Sequence, residues 1–332
     1  KIMNQVYGFT KAKELLINNY HTKSLANSII FSGQKGIGKN TFIFNLLKEI
    51  FKSSVNKNQF FHHLNLIDNN SHPNIRYLIR DYDDKLKKEK TVISVDQIRK
   101  LNNFFYESTL NDLPKFIIID SADDLNINAS NSLLKILEEP KNKTYIFLVS
   151  HQLSSLLPTI RSRCLKFVFK NHNFETFKMI LKDKIDINNE ESLKFFFDIS
   201  NASPGIALRL QDEEIYHLYD DILNSLIEKE PLSQHNIDLS SKISKFDNDK
   251  FKIFLSLLKF ILINLNKIKL GINILEQYLS KNLVLLENVS KKISKTIIFQ
   301  RLEYLINNEN DLFAYNLDKK YFILNFFAQV EK

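Results

Sequence analysis

The chain has 332 residues, 44% of them hydrophobic and 25% charged, with a net charge of +8. That length gives room for two or three domains with separate cores, and the balance is that of a soluble globular protein. The positive excess leans toward an acidic partner such as nucleic acid, although heavy use of lysine, asparagine, isoleucine and phenylalanine without tryptophan points to a compositional bias that supplies part of it. The single cysteine, Cys164, excludes an intramolecular disulfide and a four-cysteine zinc site. His62, His63 and His72 lack ligand spacing, so no metal site is expected. The chain starts Lys-Ile-Met with no signal-peptide pattern; a few preceding residues and a cytoplasmic location are expected.

In chain order, the first apolar run is Ile29–Phe31, a strand. Gly33-Gln-Lys-Gly36-Ile-Gly38-Lys39-Asn40-Thr41 follows, and Ile43, Leu46, Leu47 and Ile50 then recur at helical spacing. Three of the chain's six glycines fall in this loop, so chance clustering is a poor explanation. Strand, glycine-rich turn, Gly-Lys and helix form a P-loop. Glycines let successive N–H groups converge on phosphate, the helix N-terminus adds positive potential, and the lysine reaches the outer phosphates. ATP or ADP is therefore the expected ligand of Gly33, Gly36, Gly38, Lys39, Asn40 and Thr41. Asn40 stands where the motif places the Mg²⁺-binding hydroxyl, and Thr41 comes one residue late.

Further strands are expected at Ile75–Ile79, Phe116–Ile119, Tyr145–Val149 and Leu165–Phe169. Lys85–Lys90 reads as a solvated loop. Continuous apolar runs at Phe116–Ile119 and Tyr145–Val149 suit strands buried on both faces. Alternation of Leu165, Phe167 and Phe169 suits an edge strand. A helix over Gln97–Tyr106 takes Asp96 as its cap, and another runs from about Ala129 to Glu138 until Pro140 stops it. Strands alternating with helices imply a mostly parallel sheet, an α/β fold. Asp120 ends the third strand, where an acid can hold Mg²⁺ through water beside the phosphates. Ser121 follows where a hydrolase has glutamate, and Asp123 and Asp124 read as helix-start charges. From about Asn171 the pattern is helical throughout. Within Phe251–Leu265, Lys252, Ser256, Lys259 and Asn264 argue for a packed helix over a membrane span.

Taken in order, Gly-x-x-Gly-x-Gly-Lys, Ile-Asp-Ser-Ala-Asp-Asp, Asn131-Ser-Leu-Leu-Lys-Ile-Leu-Glu-Glu-Pro140 and Leu156-Leu-Pro-Thr-Ile-Arg-Ser-Arg-Cys164 resemble the AAA+ clamp-loader family of bacterial DNA polymerase III. The resemblance covers about residues 6–211. It implies a RecA-like nucleotide-binding domain (1–170), a small helical lid (171–211) and a helical collar (212–332). It also implies partners: motor subunits of the tau/gamma type and a delta subunit in a hetero-pentamer, a sliding clamp and primed DNA, with no membrane. The Ser-Arg-Cys arginine, here Arg163, would reach in trans into a neighbour's nucleotide site, with Arg161 as a nearby competitor. Ser150 and His151 would sense the γ-phosphate. Motor subunits carry a lid arginine where this chain has Gly205, and Arg209 lies one turn on. The cysteine-ligated zinc module of some members has no counterpart in Ser53–His72.

With Asn40, Ser121 and Gly205 in those places, Mg²⁺ binding is expected to be weak or absent and the subunit largely non-hydrolysing. Two rivals predict different behaviour. A motor-type ATPase of the same family would hydrolyse ATP with Mg²⁺ and lose that on Lys39→Ala. A P-loop small-molecule kinase would need an arginine-rich lid, whereas 171–211 holds only Arg209.

Overall fold

Two faces of one sheet are written in the alternation of its strands. The computed structural model describes residues 7–83, 88–106, 113–139, 143–182, 184, 190–212, 215–228, 230–272 and 285–329, and the chain divides into two compact units, Lys1–His172 and Asn173–Lys332. The first unit runs α1 (Thr10–His21), β1 (Ser28–Ser32), α2 (Lys39–Ser54), α3 (Lys57–Asp68), β2 (Ile75–Leu78), β3 (Tyr82–Asp83), β4 (Lys88–Glu89), α4 (Val95–Tyr106), β5 (Lys115–Asp120), α5 (Ile127–Glu138), β6 (Thr144–Ser150), α6 (Pro158–Arg163) and β7 (Leu165–Val168).

Five strands pair in parallel in the order β2-β5-β6-β1-β7. Ile29, Phe31, Phe116, Ile118, Phe147 and Val149 pack with Phe42, Leu46 and Ile50 of α2 in one core. Their strand neighbours Ile30, Ile117, Ile119, Ile146 and Leu148 pack with Ile98, Leu133 and Ile160 in another. Successive strand residues point to opposite faces, so burying both requires the continuous apolar runs seen in β5 and β6. β7 is an edge strand, and Leu165 and Val168 are 51% and 62% exposed. Parallel strands flanked by helices, with the glycine-rich turn directly after β1, make this an α/β unit of P-loop type.

Local details differ from the sequence expectations. Residues 88–89 of the anticipated loop pair with Tyr82–Asp83 as a short antiparallel ribbon; residues 84–87 lie outside the described residues. α4 starts at Val95, which leaves Asp96 in its first turn, not at the cap. Gln97 Oε1 accepts the Ser94 N–H at 3.0 Å, the reach-back half of a capping box spelled Ser-x-x-Gln. α5 begins two residues early, because Asn126 caps it by accepting the Ala129 N–H at 2.8 Å. Pro140 is outside the described residues.

The second unit is helical among its described residues: α7 (Phe174–Leu181), α8 (Glu190–Ile199), α9 (Pro204–Asp212), α10 (Leu218–Ile227), α11 (Gln234–Ser244), α12 (Asn248–Lys269), α13 (Leu285–Lys292), α14 (Lys295–Ala314) and α15 (Lys319–Phe327). One apolar cluster runs through it from Phe177 to Phe327. α12 takes Asp247 as its cap and buries Phe251, Phe254, Leu258, Ile261 and Leu265. Among the described residues no helix is long and apolar enough to cross a membrane.

Candidate functional site

The turn after β1 needs its glycines. Gly33 has φ +155°, and a Cβ there would sit 3.0 Å from the Cβ and carbonyl oxygen of Phe169. Gly38, with φ +100°, immediately precedes α2 and faces open space. Gly36 also has positive φ. The first-turn amides of the 16-residue α2 therefore open onto the loop with the helix dipole behind them.

Lys39 is 3% exposed, and its Nζ donates to the carbonyls of Gly33 at 2.6 Å and Gln34 at 2.8 Å. Burial lowers its pKa to about 8 against the opposing pull of Asp120 and Asp123. A buried ammonium held only by neutral carbonyls is poised for an anion.

Asp120 ends β5 next to the start of α2. Its Oδ2 accepts from Asn40 Nδ2 and, at 2.7 Å, from the Tyr77 hydroxyl of β2. Asn40 Nδ2 also lies 3.1 Å from the Tyr77 oxygen. Thr41 does not join this group; its carbonyl accepts from Asn45 at 2.9 Å. A divalent cation at a P-loop is held by a hydroxyl and by the acid's oxygens. These residues fit one poorly, because an amide replaces the hydroxyl and two donors already occupy Oδ2, one of the two carboxylate oxygens.

Asp123 lies, with Asp124, in the first turn of a short 3-10 helix, Ala122–Asp124, as a helix-start charge would, but its carboxylate does more there. It accepts from Ser121 Oγ, Ser150 Oγ and Ser155 Oγ, each at 2.8 Å, and from the backbone N–H groups of His151 and Gln152. Burial alone would raise its pKa, but these donors, His151 first, hold it below the ordinary carboxylate range. Asp124 instead meets Arg80 Nε at 3.4 Å. Asp123 thus ties the strand end carrying Ser121 to the loop carrying Ser150 and His151. Ser121 donates to an acid and is not placed as a base. The His151 ring has a buried Nδ1 with no partner; burial first, then the nearby Lys39 cation, lowers its pKa to about 4.

Arg163, at the C-terminal end of α6, pairs with Glu138 of α5 at 2.7 Å and donates to the Thr159 carbonyl at 3.0 Å. The two side chains are 37% and 48% exposed, and such a pair contributes only ~0–1 kcal/mol. Cys164 is buried, which pushes its thiol up to about 12, so it is inert packing. Gly205 and the exposed Arg209 lie on α9 of the second unit. His63 Nδ1 and His72 Nε2 hydrogen-bond at 2.8 Å, and no group of three possible ligands for a metal occurs among the described residues.

The contacts of three neighbours of the candidate residues escaped the sequence reading. Tyr77 reaches Asp120 only because β2 pairs with β5, Tyr77 opposite Ile118; no short-range pattern encodes that. Glu138 lies 25 positions before Arg163, on another helix. The only local signal for Asp123 was its place three residues after Asp120.

A model of the family described as DNA polymerase III, delta subunit, matches residues 8–173. The chain belongs to this family. Its match ends within a residue of the first unit, and relatives named delta' put the chain on the delta-prime branch of the clamp-loader family. DNA polymerase III subunit delta' of Pseudomonas aeruginosa is 35% identical over 123 residues, 37% of this chain and 38% of that protein. The Bacillus subtilis subunit delta' is 31% identical over 172 residues, 51% of this chain and 49% of that one. The chain thus matches half or less of the length of these delta-prime relatives. A gamma-subunit-related protein from Thermotoga maritima covers 95% of this chain and 97% of its own at 17% identity, with a TM-score of 0.39, too low to support a comparison.

Proposed function

We propose that this delta-prime family member is a clamp-loader subunit of a DNA polymerase III holoenzyme. In this reading it is largely non-hydrolysing and acts on a neighbour's nucleotide. The observation carrying the proposal is an intact phosphate cradle beside a disabled hydrolytic set. Lys39 and the loop amides are poised for ATP or ADP, while Ser121 stands in the general-base position and donates to Asp123. A bound nucleotide would then be a structural ligand. Arg163 would leave its weak pairing with Glu138 and meet the γ-phosphate of an adjacent motor subunit, where a guanidinium stabilises transition-state charge.

The same reading assigns residues 171–211 to a lid and 212–332 to a collar. It takes tau/gamma-type motor subunits and a delta subunit as partners in a hetero-pentamer that closes a sliding clamp on primed DNA in the cytoplasm. The net charge of +8 favours duplex phosphates in such an assembly. Reconstitution tests it: motor and delta subunits are mixed with and without this chain, and clamp loading on primed DNA is measured. Loading that requires the chain supports the proposal, and loading unchanged by its omission refutes it. ATP turnover by the isolated chain, abolished in Lys39→Ala, would favour the motor-type alternative.

A further inference from the structure

We infer that the protein itself fills the cation position beside the phosphate loop: Asn40 and Tyr77 hold Asp120 as hydrogen-bond donors, so the loop takes a nucleoside di- or triphosphate without a divalent cation. This rests on the nucleotide-binding reading above and adds a residue, Tyr77, and a ligand state to it.

Asp120 Oδ2 accepts from the Asn40 amide and from the Tyr77 hydroxyl at 2.7 Å, which uses both of that oxygen's lone pairs. Tyr77 remains a donor at every physiological pH, because burial first, and then the charge of Asp120, push its pKa far above the phenol value. Neutral donors thus do for Asp120 what a hydrated cation does in an active P-loop enzyme. A cation taking Oδ2 would displace both donors in a partly buried site, where unpaired polar hydrogens are costly, and Oδ1 alone would offer it a single protein oxygen with no loop hydroxyl beside it. Asn40 Oδ1 is buried without a partner. It is a neutral carbonyl, and it could serve a metal only if the amide turned and gave up its bond to Asp120. Charge on the bound phosphates would be met by Lys39, whose hydrogen bonds go to two backbone carbonyls, and by the α2 N-terminus.

The test is ADP binding to the full chain by titration calorimetry, in EDTA and in millimolar Mg²⁺. The expected dissociation constants agree within about twofold. In Asn40→Thr/Tyr77→Phe, which restores the hydroxyl and frees the carboxylate, Mg²⁺ is expected to tighten ADP by at least about tenfold. Three results would overturn the inference. The first is wild-type binding tightened about tenfold or more by Mg²⁺, meaning that the amide turns and ligates. The second is no ADP binding in either buffer, an outcome that leaves the clamp-loading test untouched. The third is a folded double variant that stays indifferent to Mg²⁺. If the double variant does not fold, the wild-type comparison decides alone.

Discussion

Asp123→Ala removes one acceptor from five donors, and their surroundings set the cost. Gln152 N–H and Ser155 Oγ are exposed and recover water. Ser121 is only 9% exposed, but its rotatable hydroxyl can turn in search of water. Two donors cannot recover in this way: Ser150, whose residue is 0% exposed, and the part-buried His151 N–H. Each stranded donor costs about 1–3 kcal/mol, giving about 2–6 kcal/mol together. For a unit of this size, at about 2–4 °C per kcal/mol, that lowers the melting temperature by about 4–24 °C. The carboxyl is held below its ordinary value, so its contribution is present above about pH 4 and fades as pH falls through the folded value. Asp123→Asn should therefore lose that part of the acid sensitivity. Calorimetry of the full chain measures the first, and hydrogen exchange of the peptide carrying Ser150 and His151 localises it. A loss below about 0.5 kcal/mol with unchanged exchange at His151 would refute the assignment of Asp123 as the tie between these segments.

Three further outcomes follow from buried groups. Lys39 titrates at about 8 in the free protein, so a phosphate arriving above that pH must bring a proton with it. ADP affinity should fall by about tenfold per unit from pH 8 upward, and constant affinity from pH 7 to 9.5 would count against Lys39 as the phosphate contact. Arg301 is 4% exposed and donates to the carbonyls of Leu226 at 3.1 Å and Phe327 at 3.2 Å, at the C-terminal ends of α10 and α15. Arg301→Met keeps the stem but strands both carbonyls, with relief of charge burial offsetting part of the loss. Destabilisation of about 1–3 kcal/mol in urea is expected, and a more stable variant would show that the buried charge costs more than it returns. Burial lowers His72 to about 4, so an unfolded chain binds this proton first, and stability should decline as pH falls from about 6.5 to 4; His72→Gln should flatten that slope in acid melts, and an unaltered slope would contradict it.

The parallel sheet was legible because its central strands, β1, β5 and β6, are buried on both faces and so appear as apolar runs. The P-loop was legible because positive-φ glycines and one lysine fall within a few consecutive residues, and backbone geometry there is local. Helix starts were missed by two residues where capping came from Ser94 with Gln97 and from Asn126, signals present but passed over for the nearer Asp96 and Ala129. The short ribbon of Tyr82–Asp83 with Lys88–Glu89 was hidden by a lysine-rich stretch that has no alternation. The electrostatics of the site were the least legible part. What neutralises Asp120 depends on which strand lies beside β5, and what pairs Arg163 depends on how α5 and α6 end near each other. Those are tertiary facts, and a motif fixes a residue's identity without naming its neighbours.

The most direct test is ATP turnover of the reconstituted clamp loader with clamp and primed DNA, comparing wild type with Arg163→Ala. A clear fall in an assembly that still forms is predicted, with the rate at the one neighbouring site that Arg163 faces down about 10³-fold or more. Unchanged turnover in an intact assembly would contradict the account and leave Arg163 as the partner of Glu138 alone.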